Sequence, residues 1–248
     1  MKSFFNRLKN RAPHTLYILV LISFIIPILF IIAMMIFGNI PEGESGYHSH
    51  ADYILMLVEC LLGIVVIHIP AFLERKLRFE LPTILYVLYL VFLYCSIFLG
   101  EVRSFYYIIP HWDVFLHAFS SMMTGLFGYM VIALLNRDER VLVQLSPVFV
   151  AIFAFCFSVM IGSVWEVYEF TLDGLLNLNM QKHTLSDGTA LIGHAALTDT
   201  MKDIIVDICG ALAASFVGFF SIKNGRFWYT AVLKKEPCDQ SAGETESS

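Results

Sequence analysis

Ionisable side chains gather at one end of three apolar stretches in the C-terminal half of the sequence. Their spacings are three or four residues, which places each group on one face of a helix. The set consists of Asp113, His117, Glu166, Glu169, Asp199, Asp203 and Asp207. If the three helix ends are neighbours, five or more carboxylates and one imidazole meet at the same depth on one side of a membrane.

Crowded carboxylates repel one another, so they resist burial unless they are protonated, paired or coordinated to a cation. Carboxylate and imidazole groups are the ligands that Mg²⁺, Mn²⁺ and Zn²⁺ accept. We therefore predict a divalent metal site, with Glu166 or Asp207 as the general base for a bound water. The predicted metal ligands are Asp113, His117, Glu169, Asp199 and Asp203.

A structural explanation of the same residues also exists. Acidic side chains favour helix N-termini, so Asp113 and Asp199 could be ordinary caps. Glu166 and Glu169 could lie at a hydrated helix end. Glu59, inside a separate apolar stretch, could join the acidic cluster, because a lipid-facing carboxylate is costly.

Composition predicts the elements that position these side chains. The 248-residue chain is 58% hydrophobic and only 15% charged, with a mean hydropathy of +0.72, so lipid must cover much of its surface. Six stretches are long and apolar enough to cross a bilayer as helices. They are residues 16–37, 53–73, 81–99, 114–135, 145–164 and 204–222. The predicted fold is an all-α polytopic bundle, and no run of basic residues indicates a nucleic-acid partner.

Lysine and arginine predict the orientation of the bundle. Thirteen of them flank one set of helix ends, and the other side has only Arg103, Lys182 and Lys202. The positive-inside rule then places both termini in the cytoplasm and the acidic cluster at the outer face of the plasma membrane. Residues 1–235 are predicted to form a single transmembrane domain. Residues 236–248 are polar and are predicted to be a disordered tail.

Three motifs resemble one known family. Asp-x-x-x-His at 113–117, Glu-x-x-Glu-aromatic at 166–170 and Asp-Thr-x-x-Asp at 199–203, followed by Gly210 and Ala211, resemble the YjdF-like bacterial inner-membrane proteins. That family is uncharacterised, so the resemblance implies a location and no reaction. The sequence departs from the family pattern at Leu116, Ser120 and 195–198, which implies a different substrate or a loss of activity if those residues shape a substrate pocket. A looser similarity is to VanZ-like membrane proteins.

Three classes of function fit this pattern. The first is a membrane-embedded, metal-dependent hydrolase with a lipid-linked or envelope-precursor substrate. The second is an ion- or proton-coupled transporter, and the third is a scaffold or sensor without catalysis. No H-E-x-x-H, G-x-S-x-G or Walker A motif points to another enzyme class. Because the acidic groups are confined to one side, we expect a one-sided site rather than a transport path.

Overall fold

The computed structural model describes residues 11–38, 50–77, 81–135, 145–185 and 188–224. Across these ranges the secondary structure is helical apart from one isolated antiparallel bridge between Thr184 and Ala190. Six helical stretches are long and apolar enough to cross a membrane. The predicted all-α, six-span architecture is confirmed. The membrane orientation stays a prediction, and the predicted tail, 236–248, lies outside the described residues.

The described residues form eight α-helices and one π-helical segment, and all of these except the short helix Phe105–Ile108 belong to the six spans. The bounds are α1 (Arg11–Phe37), α2 (His50–Val66), α3 (Ile69–Leu77), α4 (Thr83–Leu93), the π segment (Tyr94–Val102), α5 (Phe105–Ile108), α6 (Trp112–Leu135), α7 (Pro147–Leu176) and α8 (His194–Lys223). The second span combines α2 with α3, and the third combines α4 with the π segment.

Pro70 explains the break between α2 and α3. Its ring nitrogen carries no hydrogen, so it cannot bond the carbonyl four residues earlier, which belongs to Val66. The hydroxyl of Tyr89 on α4 donates to that carbonyl at 2.6 Å. A backbone acceptor freed inside the bilayer is therefore satisfied by a neighbouring span, as burial in lipid requires.

The spans form two groups of three. α1, α2, α4 and the π segment pack around one apolar core that includes Phe24, Cys60 and Leu90. α6, α7 and α8 pack around a second core that includes Tyr129 and Ala154. The two groups meet where α4 and the π segment contact α6.

Small residues bring α6, α7 and α8 close together. A Cβ added at Gly128 would lie 2.8 Å from the Cα of Ala154, and one added at Gly125 would lie 2.7 Å from the Cβ of Ala214. The Tyr129 hydroxyl donates to the Ser215 carbonyl at 2.6 Å. Close backbone approach and hydrogen bonds between helices replace the hydrophobic driving force that lipid removes.

The last two spans are longer than the sequence analysis predicted. α7 continues to Leu176 rather than ending near residue 164, and α8 begins at His194 rather than near 204. The connection between the fifth and sixth spans, predicted as residues 165–203, is therefore shortened to residues 177–193. The added turns are amphipathic, with Glu166, Glu169 and Asp173 buried and Val167 and Phe170 exposed. The acidic residues lower the mean hydropathy of these turns, so a search for apolar runs ends before them, although buried and exposed residues still follow the helical period.

The glycine contacts generate a stability prediction. Gly128→Ala should destabilise the protein by about 1–3 kcal/mol, because the new methyl group meets backbone that cannot move aside. Gly174→Ala on α7 is the matched control, since a Cβ added there would have nothing within 4 Å and alanine favours helix. Thermal unfolding of the detergent-solubilised protein measures both. An equal or higher midpoint for Gly128→Ala would contradict the close-packing assignment.

Candidate metal centre

Residues from the start of α6, the end of α7 and the first half of α8 converge around His117. Asp113 and His117 lie one turn apart on α6, and both face α7 and α8. His117 is 7% exposed, and the carboxylates of Glu166 and Asp207 are buried beside it. Three spans therefore contribute ionisable groups to one buried point in the bundle.

One hydrogen bond orients the imidazole of His117. Nδ1 lies 3.3 Å from Oδ1 of Asp207, and an ionised carboxylate can only accept, so Nδ1 is the donor when Asp207 is ionised. In the neutral imidazole, Nε2 then presents a lone pair. It lies 3.7 Å from Oδ1 of Asp113 and 4.0 Å from Oε1 of Glu166, beyond hydrogen-bond distance. The ring is therefore oriented by one carboxylate and turns its free nitrogen towards two others.

Asp203 completes a group of three possible ligands. One donor atom each from Asp113, His117 and Asp203 lies within 4.8 Å of the others. Asp203 is one helical turn before Asp207 on α8, so the same helix face supplies both carboxylates. These three residues are here called the ligand triad.

Two buried carboxylates next to the ligand triad have few hydrogen-bond partners within the described part of the chain. Oδ2 of Asp207, in a residue that is 2% exposed, has none, and Glu166, which is 5% exposed, has the hydroxyl of Thr200 beside it. Gly162 lets Asp207 lie against α7, since a Cβ there would overlap Oδ2. Buried carboxylate oxygens with few partners are costly, so this point suits a proton, a water molecule or a cation.

Lys182 supplies a cation that the sequence analysis did not assign to the site. Its ammonium contacts Asp113 and lies 3.3 Å from Oδ2 of Asp199. Burial lowers the pKa of Lys182, but the two carboxylates outweigh this effect, and the net pKa lies above the ordinary lysine value. Lys182 therefore stays charged at neutral pH and joins the connection 177–193 to α6 and α8.

Two predicted metal ligands lie beside the ligand triad rather than within it. Glu169 accepts a hydrogen bond from the indole nitrogen of Trp165 at 2.8 Å. Asp199 pairs with Lys182, as Asp113 also does, but it does not belong to the group of donor atoms that lie within 4.8 Å of one another. Asp199 is also not an N-cap, because α8 begins five residues earlier at His194.

Asp173 was missed by the sequence analysis, which ended the fifth span near residue 164. It accepts the backbone N–H groups of Met180 and Gln181 at 2.8 and 3.0 Å and lies 3.5 Å from Nδ1 of His183. Its position four residues after Glu169 was the available signal, because it continues the same helical face. Asp173 thus fixes the connection that carries Lys182.

A second acidic group faces the ligand triad from the first three spans. Glu59 and Glu101 are buried and line a small polar pocket together with Asp113, Glu169 and Lys182. Glu59 was expected as a possible member of the cluster, whereas Glu101 was not identified. Tyr106 also lines this pocket, and its pKa is raised by burial and by the charge of Glu59.

The fold and the buried polar centre define a polytopic membrane protein with a one-sided acidic site. The chain belongs to the family of predicted membrane proteins DUF2238, whose pattern matches residues 19–224. An uncharacterised protein of Thermotoga maritima is 31% identical over 132 residues, which are 53% of this chain and 59% of that protein. No solved structure matches the chain. These matches give no support to the looser likeness to VanZ-like proteins.

The position of Lys182 generates a prediction about the connection it anchors. Lys182→Gln should lower the free energy of unfolding by roughly 1 kcal/mol, since its side chain is one-third exposed and solvent screens the pairs. Lys202→Gln, on the exposed face of α8, is the matched control. Chemical denaturation in detergent measures both, and equal effects in the two variants would contradict the bridging role.

The raised pKa of Lys182 determines how the difference in unfolding free energy between wild type and Lys182→Gln depends on pH. A group whose pKa is higher in the folded state stabilises fully below its unfolded pKa, which is about 10.4 for lysine. The difference between wild type and Lys182→Gln should therefore stay constant from pH 7 to about 9. This stability difference should decrease only as the pH rises through the higher pKa that Lys182 has in the folded state. A decline near neutral pH would contradict the assigned direction.

Proposed function

We propose that this protein is a membrane-embedded, divalent-metal-dependent hydrolase whose site faces the outer side of the plasma membrane. Asp113, His117 and Asp203 bind the cation, and a water molecule in an open coordination position attacks the substrate. The finer resemblance to YjdF-like proteins is consistent with this proposal and supplies no reaction.

The observation that carries the proposal is the environment of His117 Nε2. Two ligands about 2.1 Å from one tetrahedral ion lie about 3.4 Å apart. Nε2 and Oδ1 of Asp113 are 3.7 Å apart, so a movement of a few tenths of an ångström would let both bind one ion. An imidazole whose other nitrogen donates to a carboxylate is the usual form of a metal-binding histidine.

Glu166 and Asp207 take different roles in this proposal. Asp207 bonds Nδ1 of His117, so it orients the ligand rather than the water. Glu166 is buried with its Oε1 4.0 Å from Nε2, so it can accept a proton from a water on the cation. Of the two bases that the sequence suggested, Glu166 is the better placed.

The charge balance supports a cation at this point. Seven buried carboxylates occur among the described residues at this end of the bundle, and the ammonium group facing them is that of Lys182. The carboxylates are Glu59, Glu101, Glu166, Glu169, Asp173, Asp203 and Asp207. A divalent cation offsets the repulsion where Lys182 does not reach. When bound, it would also lower the pKa of its water and so supply a nucleophile at neutral pH.

The distribution of buried carboxylates favours a one-sided site over a transport path. At the opposite end of the described bundle, the buried carboxylate Glu74 accepts the backbone N–H of Leu81 at 2.7 Å. That bond gives Glu74 a structural role in the turn before α4. A proton or cation relay needs ionisable groups along the whole path, whereas the described buried carboxylates other than Glu74 lie at one end.

Metal analysis tests the ligand assignment. Purified wild-type protein, stripped with a chelator and dialysed against Mn²⁺ or Zn²⁺, should retain one cation per chain, and affinity should rise with pH because ligands must lose protons. His117→Ala and Asp203→Asn should lose stoichiometric binding. His183→Ala is the matched control, since His183 also pairs with a carboxylate, that of Asp173, away from the ligand triad.

Two further variants separate the assigned roles. Glu166→Gln should retain the cation and abolish hydrolysis of activated ester and phosphoester substrates. Asp207→Asn should weaken cation affinity by about 10- to 100-fold, as loss of a partner that orients a ligand does. Stoichiometric cation in both His117→Ala and Asp203→Asn would exclude the ligand triad. Wild-type protein that binds no divalent cation would leave the scaffold or sensor explanation.

A further inference from the structure

A second feature of the bundle is a cavity of about 270 Å³ between the two groups of spans. Its walls come from α2, α3, α4 and the π segment on one side and from α6, α7 and α8 on the other. The ligand triad residues Asp113 and His117 lie at its outer end together with Glu59 and Glu169. The cavity is therefore continuous with the proposed metal site.

The cavity runs along the helix axes away from the acidic end. On α2 its wall extends over seven residues, from Glu59 to Val66, and on α6 over eleven, from Asp113 to Thr124. These intervals are about 10 and 16 Å of helix. The polar groups that can ionise lie at one end, and apolar side chains such as Val66, Phe92 and Leu93 form most of the remainder. The cavity therefore matches an amphiphile, because it has one polar end and an apolar remainder.

The hydroxyl groups in the deeper wall are already bonded to the protein. Thr124 and Ser158 bond each other at 2.9 Å, and Ser158 also donates to the Ser121 carbonyl at 2.7 Å. Ser120 donates to the His117 carbonyl, and Ser96 donates to the Leu93 carbonyl. Water needs two to four polar partners to be held in a cavity, so this wall suits hydrocarbon better than water.

The cavity reaches the lipid-facing surface of the bundle. Ile161 and Trp165 on α7 line it and are each 38% exposed, and Ile69 on α3 is 42% exposed. The exposed parts of these residues lie in spans that lipid surrounds. A chain could therefore enter from the bilayer without passing through water.

We propose that the cavity holds one hydrocarbon chain of a single-chain membrane amphiphile whose polar head lies at the ligand triad. This inference rests on the proposed function and adds the substrate class. Moving a chain from bilayer to cavity gains little hydrophobic energy, because lipid tails are as apolar as these side chains. The cavity therefore positions the head group at Glu166 and the ligand triad, and the polar contacts provide affinity.

Photolabelling tests this occupant. The probe is a lysophospholipid with a diazirine in the middle of its acyl chain, added to the full-length, metal-loaded protein in detergent. We expect mass spectrometry to find label on cavity residues such as Leu62 and Phe92. Ser96→Phe fills the cavity and should reduce that label about tenfold, because a buried ring leaves no space for the chain.

Ser163→Phe is the matched control. Its hydroxyl also bonds its own helix, at the Val159 carbonyl, but Ser163 is exposed to lipid, so cavity labelling should persist. Leu62→Trp fills the cavity from α2 rather than from the π segment and serves if Ser96→Phe does not fold. Label confined to lipid-facing residues such as Val65 and Val91, in protein that binds its cation, would overturn the chain inference alone. Cavity labelling unchanged in both filling variants would overturn it too, whereas failure to bind a cation is a failure of the proposed function.

Discussion

The scarcity of positive charge near a set of buried carboxylates is the constraint on which the rest of this structure depends. Glu166, Asp203 and Asp207 are taken out of water together, although like charges repel more strongly in an apolar medium. Lys182 offsets the repulsion between carboxylates only at Asp113 and Asp199. A cation bound at the ligand triad would offset the repulsion among the more deeply buried carboxylates, and this is the physical basis of the proposed hydrolase.

The close packing of the bundle positions the residues of that polar centre. Gly125 and Gly128 bring α6 against its neighbours, and Gly162 makes room for the carboxylate of Asp207 beside α7. Asp173 holds the short connection that delivers Lys182. The three C-terminal spans therefore form a close unit around the site. The first three spans pack as a separate group, and this division leaves the cavity between them.

The membership of the candidate site was only partly predictable. The spacing of Asp113 with His117, and of Asp203 with Asp207, was enough to predict one face on each of two helices. Glu101, by contrast, follows a long apolar run, and nothing in its neighbours shows that it turns inward. Lys182 lies in an irregular connection whose path depends on backbone bonds to Asp173, so its reach to Asp113 could not be anticipated.

The sequence by itself determined that this chain has six membrane-crossing helices, because the lengths of its apolar runs and the need to satisfy backbone groups in lipid allow little else. It also determined which side chains share a helix face. Tertiary contacts decide where α7 ends and where α8 begins, since these turns are stabilised by bonds to residues of the connection 177–193. The tertiary structure alone decided that the ligand triad meets while Asp199 and Glu169 turn to other partners, because distances between helices follow from packing and not from spacing along one chain.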